Sequence, residues 1–167
     1  MSDENPFAPP ESDVTVDLSG ELAGRGVRLG GAIIDGLVAM MVMLPATFMF
    51  GYWDRAMVGG QTITDLVLFS ALGFVVFVAV QGYLLANHGQ TIGKRILGTR
   101  IVSVDDGSIL PLWKVITHRY LPVQLITVIP LIGPIFGIAD SLFIFREDRR
   151  CIHDLIAGTK VIVAKKS

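Results

Sequence analysis

The sequence predicts an all-α integral membrane helix bundle of four helices, the last two as separate spans or a hairpin, with a small cytoplasmic β-ribbon. Three observations predict it. The chain is 51% apolar and only 17% charged, too little charge to cover the surface of a soluble domain of 167 residues. Its mean hydropathy is +0.60. Long apolar stretches alternate with short basic ones, so the distribution of charge says more than its sum.

The N-terminal part, residues 1–24, carries Asp3, Glu4, Glu11, Asp13, Asp17 and Glu21 and no Lys or Arg. A secretory leader begins with a basic region and an apolar core, and this does not. The stretch Asn5-Pro6-Phe7-Ala8-Pro9-Pro10 resists both helix and strand. Residues 1–24 therefore read as an acidic tail, mobile over 1–20.

The first apolar stretch covers residues 27–50, interrupted by Arg28 and Asp35. The second covers residues 66–86, with Gln81 its one strongly polar side chain. Each reaches the roughly 20 residues that a helix needs to cross about 30 Å of hydrocarbon. The loop between them carries Tyr52 and Trp53, aromatic rings suited to the headgroup level. The third region, residues 112–145, is divided by Pro122, Pro130 and Pro134. It reads as two helices turning near residues 130–134, either two short spans or a re-entrant hairpin.

Charge orients these segments. Lys and Arg gather at cytoplasmic flanks. Lys94, Arg95, Arg100, Lys114 and Arg119 follow the second helix, and Arg146, Arg149, Arg150, Lys160, Lys165 and Lys166 follow the last. Both basic segments face the cytoplasm only if the chain crosses an even number of times. With Arg25 and Arg28 at the entry of the first helix, Arg55 is then the one basic residue outside. Both termini are expected in the cytoplasm. The alternating β-branched runs at residues 99–104 and 158–163 would then lie on one side of the membrane and can pair as a ribbon.

Ionisable groups inside a bilayer cost several kcal/mol, so their presence asks for a reason. Counting inward from the cytoplasmic helix ends, Asp35, Gln81, Arg119 and Asp140 all fall about 8–12 Å deep. One polar layer shared by four helices is expected. As structure it fixes helix register; as a site, Asp35 and Asp140 bind a cation or exchange a proton, with Arg28 and Arg119 setting their charge and Gln81 beside them.

Weaker signals read as structural. Gly89-Gln90-Thr91-Ile92-Gly93-Lys94-Arg95 departs from a phosphate loop in spacing and lacks the hydroxyl after the lysine, so it reads as a turn that holds Lys94 and Arg95 at lipid headgroups. Cys151, His153 and Asp154 lack a second ligand cluster, so no metal or cofactor is expected; Asp154 suits a helix cap or a tie to the basic loop beside it. No catalytic constellation emerges, which argues against an enzyme. One cysteine rules out an intrachain disulfide, and a net charge of −1 gives no reason to expect nucleic acid. The spacings Gly26-x-x-x-Gly30 and Gly133-x-x-x-Gly137 permit close helix contact.

Three segments in order, Arg28-Leu29-Gly30-Gly31-Ala32-Ile33-Ile34-Asp35, residues 89–102 and His153-Asp154-Leu155-Ile156-Ala157-Gly158-Thr159, together resemble the RDD family of bacterial membrane proteins, across about residues 25–164. The family is named for one arginine and two aspartates. Arg28 and Asp35 match the first two, and either Asp154 or Asp140 matches the third. The resemblance implies a multi-pass protein of the inner membrane, with transport, including sodium/proton exchange, suggested for some members. The expectation is a carrier of a cation or small solute, working as a homo-oligomer because so short a chain leaves little room for alternating access. The alternative is a non-catalytic scaffold or regulatory subunit that engages lipids or a membrane-protein partner through its basic face.

Overall fold

Two helices dominate the computed structural model, which describes residues 20–164. Helix α1 spans Arg25–Met49 and α3 spans Ile63–His88. Both are long and apolar enough to cross a membrane. Their apolar side chains are not a hidden core: Leu29, Ile33, Leu37, Met40, Met41, Leu68 and Val75 are all exposed. A soluble core helix would bury that surface. Lipid or another apolar surface is what such faces require.

At one end α1 and α3 are joined through the short helix α2, Tyr52–Met57. Aromatic packing closes this end, with the Tyr52 and Phe69 rings 4.7 Å apart. The Thr62–Asp65 capping box starts α3 and satisfies its first free N–H groups. At the other end α3 stops at Gly89, and α4, Ile92–Ile96, leads into strand β1, Thr99–Ser103.

Residues 112–145 form a helical hairpin. Its first arm is α5, Leu112–Val115, then a π-helical turn over Ile116–Tyr120, then α6, Leu121–Thr127. The π turn has a local cause. Pro122 has no N–H for the carbonyl of His118, and its ring would collide with it. Widening the helix just ahead relieves both and turns Arg119 inward, where it is 2% exposed. The second arm is α7, Ile132–Leu142, ending in the 3₁₀ turn Phe143–Phe145. At 1.5 Å per residue the arms reach about 24 and 21 Å, short of a typical hydrocarbon core.

The chain ends in α8, Ile152–Ala157, and strand β2, Thr159–Val163. Strands β1 and β2 pair antiparallel, Thr99 opposite Val163 and Ser103 opposite Thr159. The expected ribbon is present. The expected tail of residues 1–24 lies outside the described residues up to 19, but its last part is docked: Leu22 bridges Ile162, and the Ala23 N–H donates to the Val161 carbonyl at 3.0 Å. Helix α1 therefore starts from the sheet. Ala23, Leu85, Ile101, Leu110, Val115 and Val161 form the buried apolar core, all at this sheet end.

Helix contact follows the expected glycine spacings at one residue of each pair: a Cβ on Gly133 of α7 would lie 2.4 Å from the Thr127 carbonyl oxygen of α6, and one on Gly30 3.1 Å from Leu97. A methyl group at Gly26 or Gly137 would meet open space. The tightest approach is between α1 and α4, where a Cβ on Gly93 would lie 2.1 Å from the Gly31 carbonyl oxygen. Only glycine fits there.

Candidate functional site

The polar side chains at the sheet end form two clusters rather than one layer. The first surrounds Asp35, halfway along α1. Its carboxylate accepts from Gln81 Nε2 on α3 at 3.1 Å, from Thr91 Oγ1 at 2.5 Å and from the Gly93 N–H at 2.8 Å. The Gln81 carbonyl oxygen in turn accepts from the Ile92 N–H at 2.8 Å. Asp35 and Gln81 are thus brought together as expected. Their partner is the start of α4, whose free N–H groups attract a carboxylate. Both oxygens of Asp35 are occupied by protein donors.

The second cluster is centred on Asp154, fully buried on α8. Arg28 from α1 and Arg119 from the π turn each close an ion pair on it. Thr159 Oγ1 donates to Asp154 Oδ1 at 3.1 Å, and the Cys151 N–H donates to Oδ2 at 3.1 Å, so the same carboxylate caps α8. Burial works to raise the Asp154 carboxyl, but the guanidiniums of Arg119 and Arg28 outweigh it and hold it well below the ordinary carboxylate range. Two buried guanidiniums and one buried carboxylate are tolerable because nearly every donor has an acceptor. Arg28 also donates to the Arg149 carbonyl, and Arg119 to Thr159 Oγ1 at 2.5 Å. Arg119 Nε is buried with no partner among the described residues.

His153 links this cluster to Asp140 on α7. Arg119 donates to His153 Nε2 at 3.0 Å. A guanidinium accepts nothing, so Nε2 carries the lone pair and Nδ1 the proton, which it gives to Asp140 Oδ2 at 2.6 Å. The His153 N–H donates to the other Asp140 oxygen at 3.0 Å. Burial first, and Arg119 second, lower the His153 pKa, in keeping with a neutral ring.

Expected and observed positions therefore divide. Arg28, Arg119 and Asp140 converge, while Asp35 and Gln81 stand apart from them. Arg28 and Asp35 share a helix face but take different partners. Arg119 does pair an aspartate, though on α8 rather than on the apolar helices. Thr91 and Thr159 were not singled out as site residues, and His153 was weighed only as a metal ligand; all three sit in short elements that carry no helical period to place them. Arg95 is exposed, as a headgroup contact requires. Lys94 departs from that expectation, because α4 lies against α1 at Gly93 and turns the next side chain inward.

Lys94 faces a cavity of about 130 Å³ lined by Arg28, Leu29, Ala32, Lys94, Arg119, Asp140, Ser141, Ile144, Cys151 and His153. One water needs only a fraction of that volume. Burial, then Arg119, lower the Lys94 ammonium to about 8. Burial likewise raises the Cys151 thiol to about 11. The structure brings Asp140 to Cys151 and His153, so that one ligand atom from each lies within 4.8 Å of the others. That grouping was not visible in the sequence, where Asp154 was the third candidate. Its atoms are already engaged: Arg28 NH2 lies 3.5 Å from Cys151 Sγ, and both His153 nitrogens have partners. A divalent cation there would meet two guanidiniums.

Residues 22–158 match the RDD family model. The chain is similar to the uncharacterized protein YckC of Bacillus subtilis (strain 168), 32% identical over 144 residues that cover 85% of each chain. It is also similar to an uncharacterized protein of Haemophilus influenzae, 31% identical over 144 residues, 86% of this chain and 80% of that protein. No solved structure matches it. From its first helix to its last, this chain belongs to the RDD family.

Proposed function

We propose that this chain is a multi-pass protein of the bacterial inner membrane that carries a small solute, taking it from the cytoplasm into the cavity between α1, α4, α7 and α8. The single observation behind the reading is a charged cavity, bounded by buried ion pairs, at one end of an apolar bundle. Intramembrane ionisable groups usually mark a substrate or ion pathway. In this reading α1 and α3 cross, the α5–α7 hairpin inserts beside them, and both termini lie in the cytoplasm. The pairing of β1 with β2 supports an even number of crossings, and the basic residues around the sheet support its cytoplasmic side. The working unit is an oligomer, since one short chain offers little material for alternating access. Sodium binding at Asp35 finds no support in a carboxylate already saturated by donors.

A second reading is favoured by one observation. Asp35 and Asp154 are so fully partnered that both clusters can serve as rigid braces in a scaffold that holds a lipid or protein partner. Vesicles separate the two. Purified protein is reconstituted with a pH-sensitive dye inside and challenged with a panel of sodium and potassium salts of chloride, acetate, sulfate and phosphate. A carrier gives protein-dependent flux for at least one salt, lost in Lys94→Gln. A scaffold leaves every trace the same as protein-free vesicles.

A further inference from the structure

We infer that the cavity beside α4 binds a small oxyanion, with Lys94 as its charged ligand. This identifies the solute class of the carrier reading and rests on it for the location of the site, while binding itself requires no transport.

The lining is unbalanced. Arg28, Lys94 and Arg119 supply three cations, and Asp140 is the one carboxylate. Both Asp140 oxygens are held by His153, and His153 is neutral by its own hydrogen bonds. The guanidiniums of Arg28 and Arg119 both pair with Asp154, whose single charge offsets one of them. Lys94 is matched by nothing: among the described residues its ammonium has no hydrogen-bond or ion-pair partner. Asp35 lies nearby, but its oxygens are taken by Gln81, Thr91 and the Gly93 N–H. An ammonium in an apolar bundle normally finds a carboxylate or a carbonyl. Here it faces a cavity with room for several waters.

Arg119 lines the same cavity and brings a further positive charge beside Lys94, one that the carboxylate it shares with Arg28 does not fully offset. A free ammonium beside two guanidiniums that share one carboxylate suits an oxygen anion, which accepts charge-assisted hydrogen bonds from Lys94 and gains from the positive field of the other two. A cation would find only an occupied carboxylate and a protonated thiol. The same chemistry is offered by free phosphate and by the phosphate of a lipid headgroup.

The test uses full-length protein. Inorganic phosphate is titrated into delipidated, detergent-solubilised protein at constant ionic strength against sodium chloride, with binding read by calorimetry and by the melting temperature. In parallel, melting is compared in nanodiscs of phosphatidylglycerol and of phosphatidylcholine. Saturable phosphate binding, weakened about tenfold or more in Lys94→Gln and retained in Lys94→Arg, supports a free oxyanion. Stabilisation by phosphatidylglycerol alone, lost in Lys94→Gln, supports a lipid phosphate. The inference is overturned if neither phosphate nor the anionic lipid acts beyond its control, or if Lys94→Gln responds as the native protein does. Flux of some solute without any oxyanion binding would remove this inference and leave the carrier standing; binding without flux would do the reverse.

Discussion

Arg28, in the first turn of α1, is ion-paired with Asp154, 126 residues further along the chain. The contact ties the start of the first apolar helix to the last short helix, and Arg119 joins it from the hairpin. Three separate parts of the sequence thus meet on one carboxylate. Removing a partner from a buried pair leaves an uncompensated charge and costs about 3–5 kcal/mol. Asp154→Asn is therefore expected to lower the melting temperature sharply, followed in detergent by tryptophan fluorescence. Arg28→Lys should fall between it and the native protein, because a single ammonium cannot serve Asp154 and the Arg149 carbonyl as a guanidinium fork does.

Asp35→Asn is expected to act through stability. The carboxylate accepts three hydrogen bonds, and the amide replaces one acceptor with a donor facing a donor. The cost is about 1–3 kcal/mol. Thermal melting should register that loss, while phosphate binding at the cavity, measured below the lowered melting point, should persist. Loss of binding in a fully folded Asp35→Asn variant would place Asp35 in the site instead.

Gly93→Ala forces α4 away from α1, because the added carbon meets the Gly31 backbone and not a flexible side chain. Overpacking of this kind costs about 1–3 kcal/mol. Gly137→Ala meets nothing and should melt with the native protein. Equal effects in the two variants would place a helix contact at Gly137 as well.

The pair of outcomes at glycine illustrates what the sequence could express. Helices α1 and α3 were legible because hydrophobic length is a property of a local window. The ribbon was legible because two β-branched alternating runs fell on one side of the charge pattern. The single polar layer was not, because depth along an axis says nothing about which neighbour a side chain meets. Asp35 and Arg119 count to one depth in the sequence, yet Asp35 pairs with the start of α4, a short helix with no apolar period, and Arg119 pairs with Asp154. Asp154 looked like a cap, which it is; that two arginines also converge on it depends on the π turn before Pro122 and on the docking of α8, both matters of tertiary packing.

Lys94 carries a pH dependence whose sign is fixed. Its folded pKa is about 8 against an ordinary 10.5, set by burial and by Arg119 and Arg28, with Asp35 and Asp154 opposing. Between those values the unfolded chain holds the extra proton, so stability rises with pH from about 8 towards 10.5. Lys94→Met should flatten that rise and stabilise the protein at pH 7 by up to about 3 kcal/mol. Unfolding measured at several pH values without added phosphate checks it. An unchanged slope in the variant would assign the dependence elsewhere.

The measurement that bears most directly on the account is the sidedness of the sheet end. Single cysteines replace Met57, at the end of α2 between α1 and α3, Asp105, beyond β1, and Ala164, after β2, in a Cys151→Ser background whose hydroxyl takes the place of the thiol at the α8 cap. Intact cells are treated with a membrane-impermeant thiol reagent. The account predicts labelling at position 57 alone, with positions 105 and 164 reacting only once the membrane is opened. Labelling of either sheet-end position from outside would remove the cytoplasmic cavity and contradict the carrier built on it.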